Sequence, residues 1–194
     1  MRLYVQMVFQ ASNHGLISVA KEVLSAVKLA MSRYSATTVT TVGHSLGGSI
    51  SLLEAVYLSL QLPAGTKFRT YTFGQPRVRL SRKPYELVLI TYYVQVGNQA
   101  FADYVDSQSS RLQLTRTTNK RDVVPILPGR FLGYKHAQGE VHIDDPSGQW
   151  YTCPGQDNES VLCTVGDVPS LLQLNTTNHR GPYGTVIMGS DACV

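Results

Sequence analysis

The chain has 194 residues, of which 43% are hydrophobic and 15% charged, and its formal net charge is +4. This composition suits one globular domain with a buried core and excludes a disordered chain. No apolar run reaches the roughly 18 residues of a membrane span. The basic residues are scattered, with Arg79, Arg82 and Lys83 the densest group, so neither a transmembrane segment nor a nucleic-acid surface is expected.

The opening residues Met1 to Phe9 carry one charge and no adequate apolar stretch, which does not fit a signal peptide. Either the protein stays inside the cell or its start lies upstream. From Leu16 to Tyr34, apolar residues recur at 16, 20, 23, 24, 27, 30, 31 and 34, the spacing of one helix face. Thr37 to Val42 is rich in β-branched residues and predicts a strand. Gly43 to Gly48 predicts a turn, Ile50 to Leu60 a buried helix ended by Pro63 and Gly65, and Phe68 to Phe73 another strand. This order of helix, strand, helix and strand indicates an α/β fold with parallel pairing. Further on, Asn98 to Val105 predicts a short helix and Arg111 to Thr117 a strand. Asp122 to Gly129 reads as a Pro-rich loop, Glu140 to Ile143 as an edge strand, and Ser170 to Leu174 as a last short helix.

The three cysteines form no C-x-x-C pair, so no metal site is expected. Cys153 and Cys163 flank a short polar loop that a disulfide could close. Cys193 is then left as a free thiol, an intermolecular bridge or half of a pair whose partner is not in this chain. Sequons at Asn158 and Asn175 are possible glycosylation sites. Together these features lean towards an oxidising, secreted setting.

Chemistry is concentrated in Gly43-His44-Ser45-Leu46-Gly47. A serine hydroxyl is a weak nucleophile at neutral pH and needs a fixed, exposed position and an adjacent base. G-x-S-x-G between a strand and a helix supplies the position. The backbone N–H of Leu46 would be one oxyanion donor, helped by the positive end of the following helix. The string Val42-Gly43-His44-Ser45-Leu46-Gly47-Gly48 is followed by Tyr71-Thr72-Phe73-Gly74-Gln75-Pro76-Arg77-Val78 and by Gly97-Asn98-Gln99-Ala100-Phe101-Ala102-Asp103. Then come Asn119-Lys120-Arg121-Asp122-Val123-Val124-Pro125, Gly139-Glu140-Val141-His142-Ile143 and Asn178-His179-Arg180-Gly181-Pro182-Tyr183. In these strings the chain resembles the fungal class 3 lipases, which include triacylglycerol lipases and feruloyl esterases. The resemblance runs from about residue 16 to the C-terminus. It implies a single α/β-hydrolase-type domain over residues 1–194, incomplete at its N-terminus, with a sheet and flanking helices.

In such hydrolases the chain order is Ser, then Asp or Glu, then His. His14 precedes the serine, His44 sits inside the elbow, and His136 and His142 flank an expected Gln138-Gly139 hairpin, which leaves His179 in a C-terminal loop. Asp103 and Asp106 belong to an amphipathic helix, and Asp144 and Asp145 begin a turn. Asp122 follows a strand and opens a loop, a fitting place for the acid. The resemblance implies the same pair. The expected triad is therefore Ser45 as nucleophile, Asp122 as the acid orienting the histidine, and His179 as general base and acid. It forms an acyl-enzyme on a lipid or other carboxylic ester, at a lipid–water interface, with no cofactor or metal.

Two departures from the family stand out. Early strands, a second oxyanion donor and a lid helix are not found, and Cys193 lacks the N-terminal partner that the resemblance implies. Residues 79–96 also interrupt the match. Ser45 to Asp122 is 77 residues, or 59 once 18 are removed, beside 57 from Asp122 to His179. A retained in-frame intron or a surface insertion would both explain it. The expected function is a triacylglycerol lipase, extracellular as its family is. An inactive family member and a feruloyl or short-chain esterase are the alternatives.

Overall fold

A computed structural model describes residues 3–5, 15–77, 98–145, 147–168 and 175–189. His14, residues 79–96, the helix expected over Ser170 to Leu174, and Cys193 lie outside the described residues. Strand β1 is Leu3–Val5, helix α1 Gly15–Tyr34, strand β2 Thr38–His44, helix α2 Leu46–Gln61 and strand β3 Lys67–Phe73. Helix α3 (Gln99–Ser107) precedes strand β4 (Leu112–Asn119), and short 3-10 turns at Val124–Ile126 and Arg130–Leu132 lead to strand β5 (Glu140–Ile143). Strand β6 (Trp150–Cys153), helix α4 (Thr164–Asp167) and a 3-10 turn at Thr177–Arg180 complete the described chain.

The six strands lie side by side in chain order, with β1 to β5 parallel and β6 antiparallel to β5. This is the α/β-hydrolase-type sheet expected, with three corrections. A strand at Leu3–Val5 precedes α1, where no early strand was expected. Glu140–Ile143 is not an edge, because Trp150–Cys153 pairs along it. Gln138-Gly139 is not a hairpin, because the strand entering that region and the one leaving it are parallel, so residues 120–139 form a crossover. The antiparallel turn lies instead between Ile143 and Trp150.

The strands alternate between two faces. Val39 pairs with Phe68 and Thr41 with Thr70, and all four side chains are buried on the face that meets α2. Val42 pairs with Tyr71 on the other face, and both are exposed. Helix α2 is apolar on most of its surface because it fills the centre. Its Leu52, Ala55, Val56 and Leu58 join Val27 of α1 and Phe101, Ala102 and Val105 of α3 in one core. At about 25 cal/mol per Å² of apolar area, burying such side chains is the main favourable term in folding. The expected disulfide is present: Cys153 and Cys163 are bonded, with Cα atoms 5.9 Å apart.

Glu54 breaks the apolar pattern of α2. It is 6% exposed, and its Oε1 has no hydrogen-bond partner among the described residues. Burial pushes its pKa up from the ordinary glutamate range to about 7. The folded state therefore holds this proton more tightly than the unfolded chain does. Below the ordinary range both states are protonated and Glu54 carries no pH-dependent penalty. As pH rises from the ordinary glutamate range to about 7, the unfolded chain ionises while the folded one still holds its proton, and the folded protein loses stability; above that the loss is complete and constant. Glu54→Gln should raise Tm at pH 8 and leave it nearly unchanged at pH 4, measured by calorimetry at both values.

Candidate active site

Ser45, Leu46, Asp122 and His179 lie at or just beyond the C-terminal ends of the parallel strands, where open α/β sheets bind ligands. Ser45 joins β2 to α2 without an intervening residue. Its φ of 56° and ψ of −129° are sparsely populated for a residue with a side chain. Three contacts hold this conformation. The Ser45 N–H donates to Phe73 O at 2.9 Å, and Ser45 O accepts from Gly48 N at 3.0 Å. Gly43 also lets the turn close on itself, since a Cβ there would lie 2.1 Å from Gly47 O. Gly47 itself faces open space, so its own lack of a side chain is not what closes the turn. Leu46 is the first residue of α2, a position whose N–H cannot be satisfied within the helix.

Strand β4 delivers Asp122 three residues past its end. The carboxylate is fully buried. Oδ1 accepts the Val124 N–H at 2.9 Å, and Oδ2 lies 2.8 Å from Nδ1 of His179. A carboxylate only accepts, so Nδ1 carries a proton and Nε2 is left free to take one. The His179 side chain is 18% exposed, which leaves that nitrogen in reach of solvent or a ligand. The loop bearing His179 is tied to the sheet, since Asn119 Nδ2 donates to Asn178 O at 2.8 Å.

The acid's loop is held from below by Arg77, which is buried and ion-paired to Asp157 at 3.0 Å. Arg77 also donates to the carbonyls of Ile126 and Pro128, and the backbone N–H of His136 donates to the other Asp157 oxygen. Asp157 lies inside the loop closed by the disulfide.

The other histidines have different work. His136 is buried and donates from Nε2 to Pro125 O at 2.8 Å. Burial, then Arg116 and Arg77, hold its pKa well below the ordinary value. His142 is fully buried, with Nδ1 2.8 Å from Thr118 Oγ1 and Nε2 3.4 Å from Asp167. The imidazole of this second His–Asp pair has no surface from which to meet a substrate. Asp103 is exposed, Asp106 is half-buried, and both accept from Gln156 Nε2. Asn175 is exposed at the start of the histidine loop, while Asn158 folds back to donate to Pro154 O. Among the described residues no group of three His, Cys, Asp or Glu could hold a metal, and no helix is long and apolar enough to cross a membrane.

Two features escaped the sequence reading. His44 donates from Nε2 to the His179 carbonyl at 2.7 Å, and Tyr183 donates to the same oxygen at 3.3 Å. A groove of about 450 Å³, lined by Leu112, Leu114, Val141 and Cys153, opens at the N-terminal ends of β4 and β5, and none of Ser45, Asp122 or His179 lines it.

The lipase (class 3) family matches residues 2–132, more than half of the chain. The chain belongs to the class 3 lipase family. It is 32% identical over 170 residues to a secreted mono- and diacylglycerol lipase of Malassezia globosa, covering 87% of this chain and 48% of that one. It also superposes on the crystal structure of a lipase from Rhizopus microsporus var. chinensis. That match has a TM-score of 0.64 and 28% identity, and covers 91% of this chain and 55% of that one. A third match, TM-score 0.61 and 30% identity over 90% of this chain and 59% of the other, is a triacylglycerol lipase whose catalytic centre is described as a serine-protease triad. This class 3 lipase chain thus spans about half the length of the curated relatives it matches.

Gly74 shows how tightly the candidate site is packed. It has a φ of +57°, and a Cβ there would lie 2.7 Å from Tyr183 Oη and 2.9 Å from Cε1 and Nδ1 of His179. Gly74→Ala should destabilise the protein by roughly 1–3 kcal/mol through backbone strain alone. It should also displace the imidazole from Asp122. Urea denaturation and histidine-selective NMR would measure the two effects.

Proposed function

We propose that this class 3 lipase chain is a carboxylic ester hydrolase, and specifically a triacylglycerol lipase, working by acyl transfer at Ser45. His179 takes the Ser45 proton through Nε2 as Oγ attacks the ester carbonyl. Asp122 holds the imidazole in the required tautomer and stabilises the imidazolium. The Leu46 N–H donates to the oxyanion, aided by the N-terminal end of α2. The imidazolium then protonates the leaving alcohol, and water clears the acyl-enzyme.

The observation that supports this reading most directly is the 2.8 Å contact between His179 Nδ1 and a fully buried Asp122, at the same sheet edge as a strained elbow serine. The triad named for the similar triacylglycerol lipase supports it further. The disulfide and the secreted relatives support an extracellular setting, in which glycans at Asn158 and Asn175 would be in place. The Malassezia relative favours a second reading, in which partial glycerides are preferred to triacylglycerols.

The test is hydrolysis of p-nitrophenyl butyrate and of emulsified triolein, diolein and monoolein by the purified chain beside Ser45→Ala and Asp122→Asn. Each variant should lose at least about 10³-fold in kcat, as triad members do. Equal rates for wild type and Ser45→Ala would reject catalysis at this serine and leave a family member without turnover. Triolein hydrolysis well below that of monoolein would favour the second reading.

A further inference from the structure

We infer that His44, the residue before the elbow serine, is a positioning residue that fixes the general base by gripping the backbone carbonyl of His179. The inference rests on the reading of Ser45 and His179 given above and adds how the two are kept in register.

His44 Nε2 lies 2.7 Å from His179 O. A carbonyl oxygen only accepts, so His44 must present an Nε2–H. Burial is the largest influence on His44 and lowers its pKa, so the neutral ring with its proton on Nε2 is the form that makes this bond. The two imidazoles also stack, with centroids 4.5 Å apart and planes tilted by 35°. Tyr183 closes the arrangement. Its hydroxyl reaches the same carbonyl at 3.3 Å, and its ring meets His44 and Phe73 edge-on at 6.1 and 5.3 Å. Burial, with the Asp122 charge adding to it, raises the phenol pKa, which keeps it a donor.

The geometry answers a mechanical need. His179 lies on a single 3-10 turn outside the sheet, and its contact with Asp122 anchors only Nδ1. A ring held at one atom can swing about that atom, and an error of about 1 Å can cost on the order of 10²-fold in rate. Bonding the backbone of the same residue to His44 adds a second anchor. His44 is adjacent to Ser45 on the end of β2, so any motion of that strand end carries nucleophile and base together. The sequence pattern explains the choice of residue. His44 falls on the sheet face opposite α2, the face on which Phe73 pairs with it, so its ring can reach across to the histidine loop.

Three variants test this. His44→Phe keeps an aromatic ring and removes the donor. His44→Gln puts an amide N–H near the place of Nε2. Tyr183→Phe removes the second donor. His44→Phe should lower kcat at least about tenfold, the equivalent of one hydrogen bond of 1.4 kcal/mol, with KM within about twofold. His44→Gln should recover most of the loss, and Tyr183→Phe should fall between them. A second measurement does not depend on turnover. In ¹⁵N-histidine NMR of the unaltered protein at pH 7, His44 should be the Nε2–H tautomer. The Nδ1–H of His179 should exchange with water at least about tenfold faster in His44→Phe and return in His44→Gln.

An Nδ1–H tautomer at His44, which leaves Nε2 without a proton to donate, would overturn the inference without any variant. It would also be overturned if kcat and exchange were unchanged in His44→Phe, or if glutamine were no better than phenylalanine. Full activity in Ser45→Ala would instead sink the functional reading. An inactive Ser45→Ala beside an unimpaired His44→Phe would sink this inference alone.

Discussion

The backbone of Ser45 is the constraint on which the rest of the structure depends. A serine at φ 56° and ψ −129° is held there at a cost of about 1–3 kcal/mol, so its surroundings must leave it no alternative. They do so from both sides. Strand β2 is laddered to β3 residue by residue up to the His44–Phe73 pair, and α2 begins two positions later, at Leu46, and is buried along most of its length. The chain has to reverse between two immovable elements within a single residue, and that reversal turns the serine side chain out of the sheet.

Once the elbow is fixed, the parallel sheet brings the other groups to it. In a parallel sheet every strand ends at the same edge, so groups that follow different strands converge without special loops. Asp122 follows β4, Gly74 follows β3, and His44 closes β2. His179 comes from outside the sheet and needs more support. It gets it from the carboxylate of Asp122, from Asn119 on the neighbouring carbonyl, and from the pair of donors on its own carbonyl. The acid is supported in turn by Arg77, whose buried charge is balanced by Asp157. A buried guanidinium without that partner would be strongly destabilising.

Much of this was legible in the residues. The β-branched run Thr37 to Val42 foretold β2, though the strand extends through Gly43 and His44 because pairing with β3 overrides the low strand propensity of glycine. Helix α2 begins four residues earlier than its apolar pattern, since packing against β2 and β3 pulls the glycines into the first turn. Asp122 and His179 were selected by chain order and loop position, and they lie together. What could not be read was long-range. Trp150–Cys153 is too short to announce itself between turn residues, and it made Glu140–Ile143 an internal strand. Tyr183 and His44 carry no local sign that they share an acceptor 135 residues away from the elbow histidine in the chain. The pair His142–Asp167 shows the complementary lesson, that a histidine beside a carboxylate is structural when it is sealed from solvent.

The strands also stand in the sheet in the order in which they occur in the chain, and this bears on how the family can vary. Strands β3 and β4 pair in unbroken register although 38 residues, including 79–96, separate Phe73 from Leu112. A connection between neighbouring strands lies outside the ladder, and its closure entropy grows only as the logarithm of its length, about 0.6 kcal/mol for each doubling. Lengthening the connection between β3 and β4 by a dozen or two residues is therefore thermodynamically cheap. The fold can absorb new sequence there while the ladders on either side, and the serine that depends on them, stay where they are.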